Sequence, residues 1–187
     1  MHHLIDSAKA GDIDAYGQLI DQFSGTVERF AFQIGVSYDD VPDVSQEVFL
    51  RIYRFLHQFD GESSFSTWLY KITLNVARDY GRKQSSIKSK TELLKRQQNI
   101  DASVVEPIEM QLLRDEEDRY LYQCIQELKD KYRIPIVLHY FQDLTYQEIS
   151  KVIGAKESTV KVRVLRGRNQ LADKINNSLV KGGINHG

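Results

Sequence analysis

The sequence predicts an all-α protein of two small helical domains joined by a flexible linker. Apolar residues recur with helical spacing along most of the 187-residue chain, and no alternating strand pattern is present. Only 3 prolines and 11 glycines interrupt these patterns. Between the two periodic parts lies a polar stretch without an aromatic side chain, which is typical of a linker. We place the domains at residues 1–84 and 112–187, with the linker at 85–111.

The composition indicates a soluble protein. The chain is 41% hydrophobic and 27% charged, with a formal net charge of -1. No apolar run approaches the roughly 20 residues that span a bilayer, and the start of the chain lacks the pattern of a signal peptide. A single cysteine, Cys124, excludes an intramolecular disulfide and a metal site built from a cluster of cysteines. We therefore expect a cytoplasmic protein without a metal or cofactor.

The first part of the chain predicts three helices. Two cover about residues 12–23 and 25–34, and Pro42 suits the first turn of a third, where its missing N–H costs no hydrogen bond. The third helix has an inward apolar face formed by Val44, Val48, Phe49, Ile52 and Leu56. Its outward face is acidic and polar and carries Asp43, Gln46, Glu47, Arg51 and Arg54.

A fourth predicted helix, residues 65–83, has two opposed faces. The apolar face is formed by Phe65, Leu69, Ile72, Val76 and Tyr80. The opposite face is formed by Thr67, Lys71, Asn75, Arg78 and Arg82, with Trp68 at its edge. A basic groove with aromatic side chains is typical of proteins that hold single-stranded nucleic acid. Taken singly, Trp68 is more typical of a partly buried core residue, and the arginines are more typical of a solvated surface.

Charge is segregated within this first domain. Residues 39–62 contain six acidic and two basic side chains, whereas residues 71–90 contain six basic and one acidic. The basic surface suits nucleic acid, and the acidic surface suits a basic protein partner.

The second domain predicts a helix-turn-helix at about residues 145–175. Thr145 and Glu148 have the spacing of a capping box at the start of its first helix. Gly154 suits the left-handed position that ends that helix. The second helix begins near Glu157, after a turn of about three residues.

This second helix also separates into two faces. Its inward face is formed by Val160, Val164, Gly167, Leu171 and Ile175. Its outward face is formed by Ser158, Lys161, Val162, Leu165, Arg166 and Asn169, flanked by Arg163 and Arg168. Such a mixture suits the major groove of DNA, where arginine bonds guanine and apolar groups touch thymine methyls. The alternative is a solvated helix in which Arg163 or Arg168 pairs with Glu157 or Asp173.

Two segments together resemble a known family. "DVSQEVFLRIYRFLHQFDGESSFSTWLYKITLNVARDYGRK" resembles the second conserved region of bacterial RNA polymerase sigma factors, in the extracytoplasmic-function group of the sigma-70 family. "LTYQEISKVIGAKESTVKVRVLRGRNQL" resembles their fourth region. The order and spacing of the two segments also match, and the resemblance extends over about residues 11–175.

The resemblance implies a promoter-recognition subunit rather than an enzyme. Binding to the clamp helices of the polymerase beta-prime subunit is implied for Asp43, Gln46, Glu47, Phe49, Leu50 and Arg51. Contact with the minus-ten element, where a base is flipped into a protein pocket, is implied for Phe59, Asp60, Gly61, Ser64, Trp68, Lys71, Asn75 and Arg78. Contact with the minus-thirty-five element is implied for Ser158, Thr159, Lys161, Val162, Arg163, Leu165, Arg166 and Arg168.

Further partners follow from the same resemblance. Members of the group are usually held inactive by an anti-sigma factor, often one anchored in the membrane, and many respond to stress. The linker is expected to thread through the polymerase, and no small-molecule substrate is implied.

Four positions depart from the family pattern. Pro42 and the preceding Val41 predict a shifted helix start. Pro135 predicts a kink or a delayed start in the helix that contains it. Val162 is more apolar than the residue usual at its position, so the preferred upstream sequence stays open.

Two other functions compete with the promoter subunit. One is a stand-alone helix-turn-helix regulator with a partner- or ligand-binding first domain. The other is an enzyme acting on nucleic acid, but His57, His139 and Cys124 show no metal-ligand or catalytic-triad spacing.

Overall fold

A computed structural model describes residues 1–95 and 116–182, with side chains described for residues 1–86 and 118–176. The described ranges form eight α-helices and no strand, which confirms the all-α prediction. The helices are α1 (His2–Lys9), α2 (Ile13–Gln33), α3 (Val41–Phe55), α4 (Phe65–Lys95), α5 (Glu116–Gln126), α6 (Asp130–Tyr140), α7 (Tyr146–Ile153) and α8 (Glu157–Gly182). Short 3₁₀ turns lie at Tyr38–Asp40 and Leu56–Gln58.

Helix α2 is continuous, so the predicted break near Gly25 is wrong. A glycine inside a helix costs roughly 1 kcal/mol, and α2 buries six side chains along its length, which outweighs that cost. Its first turn is capped by Asp12, whose Oδ1 accepts hydrogen bonds from the Asp14 and Ala15 amides, both at 3.0 Å. Helix α1, which the sequence patterns did not predict, packs on α2 and buries Ile5.

Helix α3 begins at Val41 with Pro42 in its first turn, as predicted. The five residues assigned to its inward face are all buried, although Leu56 lies in the 3₁₀ turn after the helix ends. They join a core formed by α1 to α4. Its buried members are Ile5, Leu19, Phe23, Val27, Ala31, Val41, Val44, Val48, Phe49, Ile52, Leu56, Phe59, Phe65, Leu69 and Val76.

Helix α4 runs to Lys95, so the predicted end at Lys83 is wrong. Residues 85–95 contain no proline or glycine and include lysine, glutamate and leucine, which are strong helix formers. The first part of the proposed linker is therefore helical. The rest of that linker, 96–111, lies outside the described residues.

The second domain is formed by α5 to α8. Helix α6 begins at Asp130, five residues before Pro135, so this proline does not delay the start of the helix. The predicted capping box of α7 is confirmed: the Thr145 amide donates to Glu148 Oε2 at 2.9 Å, and the Glu148 amide donates to Thr145 Oγ1 at 3.3 Å. Gly154 ends α7 in the left-handed conformation, with φ of 65°, also as predicted.

The two domains share one buried cluster. Phe30, Tyr70 and Leu74 of the first domain belong to the same apolar core as Val137 and Ile149 of the second. Helix α7 packs against α4, and α5 meets the end of α2, where the rings of Phe32 and Tyr122 stack with centroids 4.6 Å apart.

A hydrogen-bonded chain of side chains crosses the same boundary. Tyr70 Oη donates to Gln142 Oε1 at 2.7 Å, and Gln142 Nε2 donates to Gln33 Oε1 at 2.6 Å. The domains are therefore held together by apolar and polar contacts in this conformation.

Replacing Gly167 by alanine should destabilise the second domain by roughly 1–3 kcal/mol. A Cβ at this position would lie 2.8 Å from Ile136 Cγ1 and 3.3 Å from Tyr132 Cβ, so α6 and α8 would have to move apart. Urea unfolding should show a lower midpoint for the variant. The matched control is Gly25→Ala in α2, where a Cβ meets nothing within 4 Å and should stabilise the helix by about 1 kcal/mol. Equal effects of the two substitutions would contradict the close packing at Gly167.

Candidate protein and nucleic-acid interfaces

A groove with an exposed apolar wall lies between α2 and α3. This α2–α3 groove has a volume of about 390 Å³ and is lined by Tyr16, Ile20, Ser24, Glu28, Ser45, Gln46, Phe49, Leu50 and Tyr53. Leu50 is 46% exposed and Tyr53 is 62% exposed, and both line the same groove, so together they form an exposed apolar patch. The sequence patterns missed Tyr16 and Tyr53 as surface groups, although Tyr53 follows Leu50 at the helical spacing of three residues.

The tyrosines of the groove are fixed by packing. The rings of Tyr16 and Tyr53 meet edge to face with centroids 5.2 Å apart, and Tyr16 Oη donates to the Phe49 carbonyl oxygen. Burial raises the pKa of Tyr16 to about 12, so its phenol remains a neutral donor near neutral pH. The groove is therefore a preformed surface rather than a cluster of free side chains.

Among the residues expected to contact the polymerase, Asp43, Gln46 and Leu50 are exposed. Phe49 is buried and forms the floor of the groove, in agreement with its predicted place on the inward face of α3. Its contact with the polymerase stays a prediction.

Arg51 is engaged within the chain. Its guanidinium pairs with Glu47 and with Asp79 of α4, both at 2.9 Å. The hydrogen bond from Arg51 holds the pKa of Asp79 below its ordinary value. Arg51 and Glu47 are partly exposed, and this network ties α3 to α4.

The polar face of α4 is narrower than predicted. Lys71, Asn75 and Arg78 are exposed, as is Arg82, but Thr67 is only 3% exposed. The assignment of Thr67 to the exposed face is therefore wrong, because α7 covers this part of α4.

Local hydrogen bonds explain how Thr67 is accommodated. Its hydroxyl lies 2.8 Å from that of Ser64, and its amide donates to Ser64 Oγ at 3.1 Å. Hydrogen bonds, chiefly from Thr145 and also from Thr67, lower the pKa of Glu148 in α7. Thr67 thus satisfies its polar groups at the boundary between the domains.

The loop before α4 is shaped by its own backbone. Gly61 has a φ of 80°, and Asp60 Oδ1 accepts a hydrogen bond from the Glu62 amide at 2.9 Å. Asp60, Gly61 and Ser64 are exposed. In this conformation the loop is also touched by the second domain, because Lys151 Nζ donates to the Glu62 carbonyl oxygen at 2.9 Å.

Three aromatic rings support the loop from below. Trp68 is partly buried, and its ring centroid lies 5.4 Å from that of Phe59 and 5.8 Å from that of Phe65. Phe59 is buried in the core of the first domain, and its contact with the minus-ten element stays a prediction. Its ring is held between Phe65 and Trp68, which stabilises the loop without exposing Phe59.

Helix α8 presents the outward face that the sequence predicts. Ser158, Lys161, Val162, Leu165, Arg166 and Arg168 are exposed, and Thr159 and Arg163 are partly exposed. Val162 and Leu165 are 45% and 51% exposed, so apolar groups stand among the cations. In the described part of the chain, neither Arg163 nor Arg168 pairs with a carboxylate; Lys161 pairs with Glu157 instead, at 2.8 Å. The alternative in which the arginines are neutralised within the helix is therefore wrong.

No group of three His, Cys, Asp or Glu side chains that could hold a metal occurs among the described residues. Over the same ranges, no helix combines the length and apolar character needed to cross a membrane.

The two domains match the two conserved regions of one class of transcription factor. Residues 19–87 match the family described as Sigma-70 region 2, and residues 118–171 match Sigma-70, region 4. Curated relatives are similar over nearly their whole length. The chain is 30% identical to the ECF RNA polymerase sigma-E factor of Haemophilus influenzae over 177 residues, covering 92% of this chain and 93% of the relative. It is 32% identical to the ECF RNA polymerase sigma factor SigW of Bacillus subtilis, covering 91% and 94%.

These regions define a sigma-70-type initiation factor. More narrowly, the chain belongs to the ECF RNA polymerase sigma factors.

Solved structures share the two-domain helical fold. CnrH in complex with the cytosolic domain of CnrY aligns with a TM-score of 0.70 at 24% identity, covering 93% of this chain and 96% of that one. The sigma factor RpoE of Bartonella quintana, in complex with the anti-sigma factor NepR, aligns with a TM-score of 0.65 at 19% identity, covering 86% and 96%. At these identities the likeness concerns the fold.

Proposed function

We propose that this chain is a promoter-specificity subunit, which binds core RNA polymerase, recognises the minus-thirty-five and minus-ten elements and promotes DNA opening. The observation that carries the proposal is the presence in one chain of two separate exposed basic helix faces, on α4 and α8, together with the exposed apolar α2–α3 groove. A simple helix-turn-helix regulator needs only the face on α8.

The α2–α3 groove is the proposed docking surface for the polymerase. A partner helix laid in it would bury Leu50 and Tyr53, while Asp43 and Gln46 beside them would accept and donate polar contacts at its rim. Apolar anchors surrounded by a polar rim are the usual anatomy of a protein interface. The clamp helices of the beta-prime subunit are the proposed partner.

The loop before α4 and the exposed face of that helix are proposed to hold the opened minus-ten element. Flipping a base costs a few kcal/mol, which contacts to the extruded base offset. Asp60, Gly61 and Ser64 supply exposed polar groups on a loop that an internal hydrogen bond shapes, with Trp68 partly buried beneath it. Lys71, Asn75 and Arg78 follow along α4 towards the neighbouring bases and phosphates.

Helix α8 is proposed to read the minus-thirty-five element in the major groove. Lys161, Val162, Leu165 and Arg166 offer the outward groups for base edges, since the exposed pair of Lys161 with Glu157 is weak and can open when DNA binds. Ser158, Thr159, Arg163 and Arg168 lie beside them as candidates for phosphate contact.

Binding both elements requires the domains to separate. The two elements lie about 25 base pairs apart, on the order of 80 Å along B-DNA. In the observed conformation α7 packs directly on α4, and packed helices lie only about 8–10 Å apart. We therefore propose that the observed conformation is a closed state, and that polymerase binding replaces the contacts between the domains.

An anti-sigma factor is the proposed regulator of this step, and a stress response the proposed setting. Of the two structures with this fold, RpoE was solved with the anti-sigma factor NepR bound and CnrH with the cytosolic domain of CnrY bound. A partner that bridges both domains would favour the closed state by binding it more tightly than the open one. The chain is then a cytoplasmic factor without a substrate of its own, and membrane anchoring would belong to the partner.

Substitutions on the two DNA-facing helices should have separable effects in run-off transcription with core polymerase. Arg166→Ala should weaken promoter binding by about 10-fold or more, because a good base contact contributes roughly 1–3 kcal/mol. The loss should vanish on a duplex whose minus-thirty-five element is scrambled. Asn75→Ala should instead slow promoter opening while upstream binding is kept.

A promoter with a mismatched bubble at the minus-ten element is the control that separates the two. On this template, transcription by the Asn75→Ala variant should return to normal, because the DNA is already open. Promoter binding by the Arg166→Ala variant should stay impaired. Normal opening of duplex DNA by Asn75→Ala would remove the melting role of α4. Tight, specific operator binding by the chain alone, without any association with core polymerase, would favour the stand-alone regulator.

A further inference from the structure

A basic pocket opens between the start of α6 and the first turns of α8. Its volume is about 390 Å³, and it is lined by Lys131, Tyr132, Ser158, Thr159, Val162, Arg163 and Arg166. Lys131 and Tyr132 belong to α6, outside the helix-turn-helix and outside every DNA contact that the sequence predicts. The pocket therefore extends the surface of α8 onto a second helix.

The cations of this pocket are not neutralised by neighbouring carboxylates. Asp130, next to Lys131, pairs with Arg133 at 2.6 Å. Glu157, at the start of α8, pairs with Lys161 at 2.8 Å. Within the described side chains, no ion pair joins Lys131, Arg163 or Arg166 to a carboxylate. Three positive charges thus line one small concave surface.

Tyr132 lies between these positive charges. Its side chain packs where α6 meets α8 at Gly167, and Lys131 Nζ lies 4.9 Å from the centroid of its ring. Burial raises the pKa of the Tyr132 phenol, but Lys131 and Arg166 more than offset this effect and leave the pKa below its ordinary value. The surroundings of this phenol oxygen therefore favour negative charge.

We propose that this pocket binds a backbone phosphate of the upstream promoter DNA, with Lys131 as an additional DNA contact. The inference rests on the proposed function of α8. A single phosphate held by Lys131 from α6 and by Arg163 from α8, next to the base-facing Arg166, would fix how deeply α8 enters the major groove. Phosphate contacts of this kind set register and add affinity but carry no base information.

The test is the salt dependence of promoter binding by the reconstituted holoenzyme. The probe is a duplex that carries a promoter identified by run-off transcription. Binding is measured at low temperature, before the holoenzyme opens the DNA. Each phosphate contact contributes about 0.9 to the log–log slope of affinity against salt concentration. Lys131→Ala should flatten the slope by that amount and weaken binding about fivefold at physiological salt. The same loss should occur on a duplex with a scrambled minus-thirty-five element, and Lys131→Arg should restore binding.

The matched control is Lys129→Ala, which removes the same charge from an exposed position just before α6 and outside the pocket. Equal slopes for Lys131→Ala and Lys129→Ala would overturn the phosphate site. A loss confined to one base pair of the element would also overturn it, in favour of a base contact. If the unaltered holoenzyme did not bind the promoter, the proposed function itself would be contradicted. That result differs from equal slopes and from a loss at one base pair, which contradict only the phosphate site.

Discussion

Replacing Leu50 by aspartate should weaken binding of the chain to core RNA polymerase by about 30-fold or more. Leu50 is an exposed apolar side chain on the wall of the α2–α3 groove, beside Tyr53. Loss of a central interface anchor costs about 2 kcal/mol or more, and a buried carboxylate without a partner adds to that cost. Binding should be measured by titration of labelled chain with core enzyme, and run-off transcription should fall in parallel.

The control for this substitution is Ile13→Asp. Ile13 is 76% exposed at the start of α2 and does not line the groove, so the same change in chemistry should leave polymerase binding intact. Circular dichroism should show unchanged helix content in both variants, since both positions are exposed. Normal binding by Leu50→Asp would contradict the assignment of the groove to the polymerase.

Locking the two domains together should abolish transcription initiation. Glu62 and Lys151 are exposed, and the hydrogen bond from the Lys151 amine to the Glu62 carbonyl oxygen, at 2.9 Å, shows that the two residues are neighbours across the domain boundary. The test uses a Glu62→Cys, Lys151→Cys variant in a Cys124→Ala background. We expect a short bismaleimide with a disulfide in its spacer to join the two new cysteines. The linked chain cannot span two elements that lie on the order of 80 Å apart. Run-off product should therefore fall to background and return when the linker is reduced.

Each single-cysteine variant treated with the same reagent is the control for the lock. The labelled Lys151→Cys variant should transcribe normally, because it carries the label without the link, and the labelled Glu62→Cys variant measures the effect of a label on the loop before α4. Cys124 is buried, and its removal excludes the one native thiol from the reaction. Full transcription by the linked chain would contradict the need for the domains to separate.

Local sequence signals predicted the helix ends that depend on a few neighbouring residues. The capping box of Thr145 and Glu148 and the left-handed Gly154 occur in the structure as expected, because such features need only the residues within one turn. The outward face of α8 also follows from helical spacing alone.

Features that depend on distant parts of the chain were not predictable in this way. Helical spacing places Thr67 on the polar face of α4, yet α7 covers it. No pattern within α4 predicts that contact, because α7 lies far away in the sequence. Gly25 resembles a break until the burial along α2 is known. Lys131 joins the surface of α8 only because α6 packs beside it, which the order of residues does not reveal.

The most direct test of the central proposal is run-off transcription by core RNA polymerase on a library of genomic promoter fragments, with and without this chain. We predict that the chain confers initiation on a small set of fragments sharing two upstream elements, and that the purified chain co-elutes with core enzyme. Identical products with and without the chain, and no co-elution, would contradict its role as a promoter-specificity subunit.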